Sequence, residues 1–196
     1  MDKFQKFIDL HHKNKQHIMN KKLLTFTGIA VLTGSLLYMN SCVSIPKGAA
    51  AVTQFDSNKY LGKWYEIARL DFTFEKNLNN TTADYSLNED HSIQVVNRGY
   101  DYIKKEWKEA IGKAKFTASP DVGRLKVSFF GPFYSGYNVV ELDDDYQYAL
   151  VVGKSPKYCW ILSREKTIPD AIKEKYVQKA GEIGVNTDNL VWVKHN

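Results

Sequence analysis

The sequence predicts an all-β domain of eight short antiparallel strands, followed by one helix and a last short strand. Short apolar and aromatic runs alternate with turn residues from Tyr60 onward, and no helical stretch separates them. Tyrosine (12 residues) and phenylalanine (10 residues) are also frequent for a chain of 196 residues, which suits strands. Such a series closes into a barrel or packs as a sandwich, and spacing alone leaves that choice open.

The candidate strands are separated by segments rich in Asp, Asn, Gly, Pro and Ser, such as "SPDVG", "GPFYS" and "DDD". These residues favour turns because they adopt the required backbone angles or bond to their own backbone. The predicted strands are 63–71, 82–88, 92–100, 107–117, 124–130, 136–142, 146–153 and 157–163.

Residues 167–184 interrupt the strand pattern with an apolar stripe at helical spacing. Thr167 is a candidate cap and Pro169 suits a first turn. We expect the stripe to pack on the outside of the sheet, and residues 189–195 to form the last strand. The stripe comprises Ile168, Ile172, Tyr176, Ala180 and Ile183.

One face of the predicted strands carries both very small and aromatic residues. Ala110, Gly112, Ala114 and Phe116 alternate along a single strand and therefore share a face. Small residues on an inner face leave volume unfilled, and an eight-stranded barrel holds either side chains or one small ligand. A cavity and a core packed by large neighbours both agree with the spacing.

Residues 19–41 are predicted to be a secretory signal peptide, because two lysines precede an apolar run over 23–37. The end of this segment resembles a bacterial lipoprotein signal, in which the cysteine is acylated and becomes the N-terminus. Ser41 and Cys42 fit that pattern, whereas Met39 and Asn40 depart from it. We therefore expect a lipid on Cys42, a tether over 42–57 and a folded domain over 58–196.

Residues 1–18 contribute nothing to the signal pattern, and we interpret them as a mis-annotated N-terminal extension. The sequence leaves open whether translation starts at Met1 or at Met19. The net charge of +5 belongs to the leader, since residues 1–41 hold six lysines and two aspartates. No basic patch with interleaved aromatics indicates nucleic acid as a partner.

The stretch "GKWYEIARL" resembles the first strand of the lipocalins, with Gly62 and Trp64 in their Gly-x-Trp motif. "WILSR" places Arg164 where lipocalins carry an arginine that packs over this tryptophan. The second lipocalin motif is only approximate, as "TADY" and "DDDYQY". Longer segments, including "LKVSFFGPFYSGYNVVELDDDYQYALVVG" and "YCWILSR", resemble the bacterial outer-membrane lipoprotein lipocalins. Apolipoprotein D and the plant temperature-induced lipocalins are similar, and the resemblance runs from about 58 to 193.

This resemblance implies an eight-stranded antiparallel up-and-down barrel with the helix packed outside. It implies binding of a fatty acid, lysophospholipid or similar amphiphile, at the outer membrane, for envelope maintenance. Gly62, Trp64 and Arg164 would then serve the fold. Val43 after the cysteine favours the outer membrane, while the leaflet and a homodimer are left open. No cofactor or metal is implied.

With Trp64 pointing inward, the family pattern predicts an apolar cavity lining with a few polar groups. We expect a buried tyrosine or a backbone group as the partner of the Glu66 carboxylate, with a polar ligand atom as the alternative. The predicted lining is Glu66, Ala68, Ala83, Tyr85, Val95, Asn97, Ala110, Ala114, Phe116, Val127, Phe129, Asn138, Val140, Val151, Tyr158 and Trp160.

The sequence does not indicate an enzyme. His91 and His195 lie apart from any candidate nucleophile, and Cys159 should face outward under the helix. No Cys/His spacing typical of zinc and no glycine-rich phosphate loop occurs. The alternatives are an envelope structural protein with a filled barrel and, less favoured, a lipocalin-fold enzyme. Phe133 and Tyr134 in the loop 131–137 fit a mouth lining, a bilayer contact, a dimer contact or simple loop packing.

Overall fold

The computed structural model describes residues 44–196, which form one antiparallel sheet of nine strands. The expectations for the extension 1–18, the signal peptide 19–41 and lipidation of Cys42 lie outside the described residues. The strands are β1 Gly62–Leu70, β2 Leu78–Leu87, β3 Ile93–Asp101, β4 Glu106–Phe116, β5 Arg124–Phe130, β6 Phe133–Leu142, β7 Tyr148–Val152, β8 Cys159–Ser163 and β9 Leu190–Trp192.

The first eight strands close into a barrel because β1 pairs with β2 on one edge and with β8 on the other. Consecutive strands pair throughout, as in an up-and-down barrel. The ninth strand extends the sheet by pairing with the last three residues of β1. The barrel with a final short strand is therefore confirmed, and the sandwich alternative is wrong.

A helix, α2 (Asp170–Glu182), covers the outside of the barrel with the predicted stripe. Tyr176 and Ala180 pack with Ile161 and the fully buried Cys159 in the cluster beneath it. This confirms the outward position of Cys159, where burial raises the pKa of the thiol to about 12. The expected cap is wrong, because Pro169 occupies the N-cap and makes no side-chain hydrogen bond.

The two ends of the barrel differ. A short helix, α1 (Ser57–Tyr60), leads into the start of β1 at the closed end. Four loops, here called the mouth loops, lie at the opposite end, where β1 finishes and β8 begins. They are residues 71–77, 102–105, 131–132 and 153–158. Neither helix within residues 44–196 is long and apolar enough to cross a membrane.

The segment expected to be a free tether is partly built into the fold. Val52 donates its backbone N–H to the carbonyl of Val139 at 2.9 Å, and Phe55 donates to Asp121 at 2.8 Å. Phe55 is only 4% exposed and belongs to the core inside the barrel. The folded domain therefore starts before residue 58, and residues 52–57 pack against the closed end.

Candidate binding site inside the barrel

The closed end is sealed by the tryptophan and arginine that the sequence singled out. Trp64 is fully buried, and its indole Nε1 donates to the carbonyl of Tyr60 at 2.9 Å. The guanidinium carbon of Arg164 lies 3.9 Å from the centroid of the Trp64 ring. Gly62 starts β1 with a φ of 89°, a conformation that favours glycine. These residues form a plug that closes this end of the barrel.

Three tyrosine hydroxyls join above this plug and form a polar floor. The Tyr137 hydroxyl lies 2.7 Å from that of Tyr60 and 2.9 Å from that of Tyr85. Burial raises the pKa of all three phenols, so they remain protonated at physiological pH. The floor therefore offers neutral hydroxyls rather than a charge.

Cross-strand register shows which residues share the inner face. Trp64 pairs with Ala83, Ala83 with Asn97, and Asn97 with Ala110, so one row crosses β1 to β4. Gly112 lies two residues after Ala110 on β4, on the same face and nearer the closed end, and it leaves room for an aromatic ring. A Cβ on Gly112 would lie 2.8 Å from a ring carbon of Phe129. The absent side chain is what lets this ring lie against the wall.

Much of this inner face remains accessible although strands surround it. Ala110 is exposed, and Asn97, Val127, Phe129 and Trp160 are only half-buried. A core filled by its own side chains would bury these positions. These inner positions are therefore not fully packed by neighbouring side chains, and we call the inner face of the barrel the cup.

Most residues predicted to line the cavity lie on this inner face. The register and the core cluster inside the barrel bring them together, with the deepest ones fully packed and the others half-buried or exposed. They are Glu66, Ala83, Tyr85, Val95, Asn97, Ala110, Ala114, Phe116, Val127, Phe129, Val151 and Trp160. Tyr158 precedes β8 in a mouth loop, where its ring contacts Phe72.

The inward position expected for Ala68 is wrong because β1 contains a bulge. Glu66 pairs with Leu162, whereas Ala68 pairs with the next residue, Ile161, so Ile67 is an extra residue. An extra residue reverses the alternation beyond it. Ala68 therefore joins the cluster under α2, and Arg69 takes the inward place opposite Trp160.

The inward positions expected for Asn138 and Val140 are also wrong. Val139 pairs with Val151 on the inner face, so its neighbours point outward. Val140 packs under α2, and the buried Asn138 amide donates to the carbonyls of Val152 and Gly153, each at 3.2 Å. Because α2 covers this side, β6 is apolar on both faces and alternation could not assign them.

The side-chain partner of Glu66 is the arginine that the bulge turns inward, and not the expected tyrosine or backbone group. Arg69 Nη1 lies 2.7 Å from Glu66 Oε1, and both side chains are buried. Arg69 also donates to the carbonyls of Glu75 at 2.7 Å and Leu78 at 3.2 Å. Trp160 Nε1 donates to Glu75 Oε2 at 3.1 Å. We call Glu66, Arg69, Glu75 and Trp160 the mouth cluster.

Three carboxylates surround the Arg69 guanidinium, those of Glu66 at 2.7 Å, Asp71 at 3.6 Å and Glu75 at 3.9 Å. Burial raises the pKa of Glu66, although Arg69 acts against this. Burial and repulsion from Glu66 raise the pKa of Glu75 well above its usual range. The cluster is thus internally paired, and the hydrogen bond from Arg69 to the carbonyl of Glu75 holds the loop 71–77 on the barrel. The sequence offered no signal for it, because a bulge leaves no mark in the alternation.

A separate surface cleft of about 550 Å³ lies outside the barrel, beside Leu70, Pro156 and Asn189. It contains none of the residues predicted to bind a ligand. The inner face of the cup therefore remains the candidate site.

Comparisons with known proteins agree with this architecture. A model of the lipocalin-like domain matches residues 55–195. The outer membrane lipoprotein Blc of Citrobacter freundii is 47% identical over 165 residues, which cover 84% of this chain and 93% of that protein. Its counterpart in Escherichia coli K12 is 44% identical, covering 85% and 94%. The cockroach allergen Per a 4 has a similar fold, with a TM-score of 0.61, 23% identity, and coverage of 80% and 96%.

The likeness to two outer membrane lipoproteins spans nearly their whole length. It locates this chain at the outer membrane, held by a lipid anchor. With the closed barrel, the Trp64–Arg164 plug and the matching domain model, the chain belongs to the lipocalin family and resembles the outer membrane lipoproteins of the Blc type.

Proposed function

We propose that this protein binds a fatty acid, a lysophospholipid or a similar amphiphile in its barrel, as a store or carrier that maintains the cell envelope. One observation carries the proposal: the inner face is apolar, rich in small residues and still accessible inside a closed wall. Lipocalins are generally binding proteins rather than enzymes. Lipidation at Cys42 would hold the cup at the membrane where such ligands occur.

The size of the expected binding energy suits a reversible carrier. About 14 methylenes at roughly 0.8 kcal/mol each give about 11 kcal/mol on burial. Association and ordering costs remove several kcal/mol of this. A dissociation constant between about 1 μM and tens of nanomolar follows.

The test is a titration of the soluble chain that starts at Val43, after removal of bound lipid. A fluorescent fatty acid is titrated first, and palmitate and a lysophospholipid are then used as competitors. Saturable one-to-one binding that either competitor displaces supports the proposal. A protein that unfolds cooperatively yet shows no saturable binding has a filled barrel, and a structural role at the envelope would replace the proposed one.

We expect the site to tolerate different acyl chain lengths. Phe129 and Val127 offer a smooth apolar wall, and each methylene adds only a small increment of transfer free energy. Dissociation constants should therefore decrease steadily from myristate to palmitate to stearate, by at most about fifteenfold for each two methylenes. The competition assay measures this directly, and a sharp optimum at one chain length would contradict it.

Filling the cup should weaken binding strongly without unfolding the protein. Ala110→Trp places a large ring on the inner row opposite Asn97, where the present side chain is exposed. We expect affinity for the fluorescent fatty acid to fall by about tenfold or more, because the ring occupies the ligand's space. Ile111→Trp is the matched control, since Ile111 is the adjacent residue on the outer face and is 56% exposed. Equal affinities for the two variants would show that the ligand lies elsewhere.

A further inference from the structure

Three phenylalanine side chains at the mouth of the barrel are exposed to solvent. Phe74, Phe130 and Phe133 are 71%, 67% and 79% exposed. Phe74 lies in the loop 71–77 and Phe130 ends β5, yet their ring centroids are 6.0 Å apart. Phe133 pairs with Phe130 across the turn between β5 and β6. They form one apolar group, here called the rim phenylalanines, and such exposed groups mark interaction surfaces.

The N-terminal segment reaches the same end of the barrel. The Ser44 hydroxyl donates to the carbonyl of Lys154 in a mouth loop, at 3.4 Å. A Cβ on Gly136, near the mouth end of β6, would lie 2.9 Å from the carbonyl of Ser44. Downstream, the chain runs away from the mouth, since Phe55 bonds to Asp121 at the closed end. In the sequence, Cys42 is two residues upstream of Ser44.

The exposed charged residues also differ between the two ends of the barrel. The exposed charged residues of the mouth loops are lysines, apart from Asp71. The mouth lysines are Lys76, Lys104, Lys105, Lys154 and Lys157. The loops 88–92, 117–123 and 143–147 of the closed end expose carboxylates, at Glu89, Asp90, Asp121, Asp144 and Asp145, while Lys59, Lys63 and Lys166 are also exposed at that end. A negatively charged surface would therefore attract the mouth more strongly than the closed end.

We propose that the mouth of the barrel docks onto the membrane, with the rim phenylalanines inserted among the lipid head groups and the mouth lysines on anionic lipids. This rests on the proposed lipidation of Cys42, which sets the anchor beside the mouth. Aromatic rings and basic side chains are the two features that hold proteins in this interface. The cup then opens toward the bilayer, and an amphiphile passes between membrane and barrel without crossing water.

The experiment uses the full lipoprotein, added to vesicles of phosphatidylethanolamine and phosphatidylglycerol. Phe133→Cys reports on the mouth, and Leu87→Cys is the matched control, since Leu87 ends β2 at the closed end and is 52% exposed. A water-soluble maleimide measures the rate at which each thiol reacts. The wild-type chain gives the background of Cys159, which is fully buried. Both substitutions are at exposed positions, so neither should disturb folding.

We expect the thiol in Phe133→Cys to react at least about fivefold more slowly than that in Leu87→Cys on vesicles. If the two thiols react at equal rates while the protein is bound to the vesicles, the docking of the mouth is overturned and the lipid anchor is not. A disulfide-linked dimer of Phe133→Cys on oxidation would also overturn it, because a second copy would then cover the mouth. The lipid anchor would be refuted as well if mass spectrometry shows no acyl groups on the chain, or if the protein does not co-float with the vesicles in a density gradient. Fatty acid binding is measured separately and is unaffected by these outcomes.

Discussion

Arg69→Met should lower the free energy of unfolding by about 3–5 kcal/mol. The guanidinium of Arg69 is 1% exposed and provides the ion pair of Glu66, at 2.7 Å. Without it, the Glu66 carboxylate stays buried with no opposite charge, and the carbonyls of Glu75 and Leu78 each lose a donor. The loop 71–77 then loses its attachment to the barrel. Chemical denaturation of the variant and of the wild type measures the difference.

The double variant Glu66→Gln/Arg69→Met separates the lone charge from simple loss of packing. Removing both members of a buried pair costs less than removing one, so the double variant should recover part of the loss. A double variant as unstable as the single one would contradict this account of the mouth cluster.

The pH dependence of the single variant has a defined sign. Burial raises the folded-state pKa of Glu66 above its unfolded value, and loss of Arg69 raises it further. A carboxyl group with a raised folded pKa stabilises the fold at low pH and loses that contribution as the pH rises through the folded pKa. The deficit of Arg69→Met should therefore be smallest in acid and grow toward neutral pH.

The sequence predicted the order of the strands and the helix because each strand ends at residues with strong turn preferences. Inner residues on β3, β4 and β5 were also assigned correctly, because charged side chains such as Glu109 and Lys113 mark the outer face there. Alternation failed on β6, whose outer face is buried under α2. It failed on β1 at a single extra residue, Ile67, because a bulge depends on the pairing partner and not on local composition.

The same comparison explains why the mouth cluster was missed while the plug was found. Trp64 and Arg164 are recognisable from two short motifs far apart in the chain. Arg69 lies in an ordinary strand sequence, and its partner Glu75 lies in a loop with no motif. Contacts between such segments depend on barrel closure, which local patterns do not encode. The contacts of the mouth cluster can therefore be identified only from the structure and not from the sequence.

Arg164→Ala should lower the stability of the barrel far more than its affinity for a ligand. The guanidinium donates to four backbone carbonyls, those of Lys59 (2.7 Å), Leu61 (2.9 Å), Lys63 (2.8 Å) and Tyr146 (3.2 Å). Removing these bonds and the contact with Trp64 should cost about 2–3 kcal/mol, since the side chain is only partly buried. For a domain of this size the melting temperature should fall by about 4–12 °C.

The affinity for a fluorescent fatty acid should change by less than about twofold in this variant, because Arg164 packs on the closed end and the accessible wall around Ala110 and Phe129 is separate from it. Arg164→Lys is the matched control: it keeps the positive charge but loses the fork that reaches several carbonyls at once. The melting temperature of Arg164→Lys should lie between those of the wild type and the alanine variant. A large loss of affinity with little change in melting temperature would mean that Arg164 serves the ligand and not the fold, and the closed end would then have to open during binding.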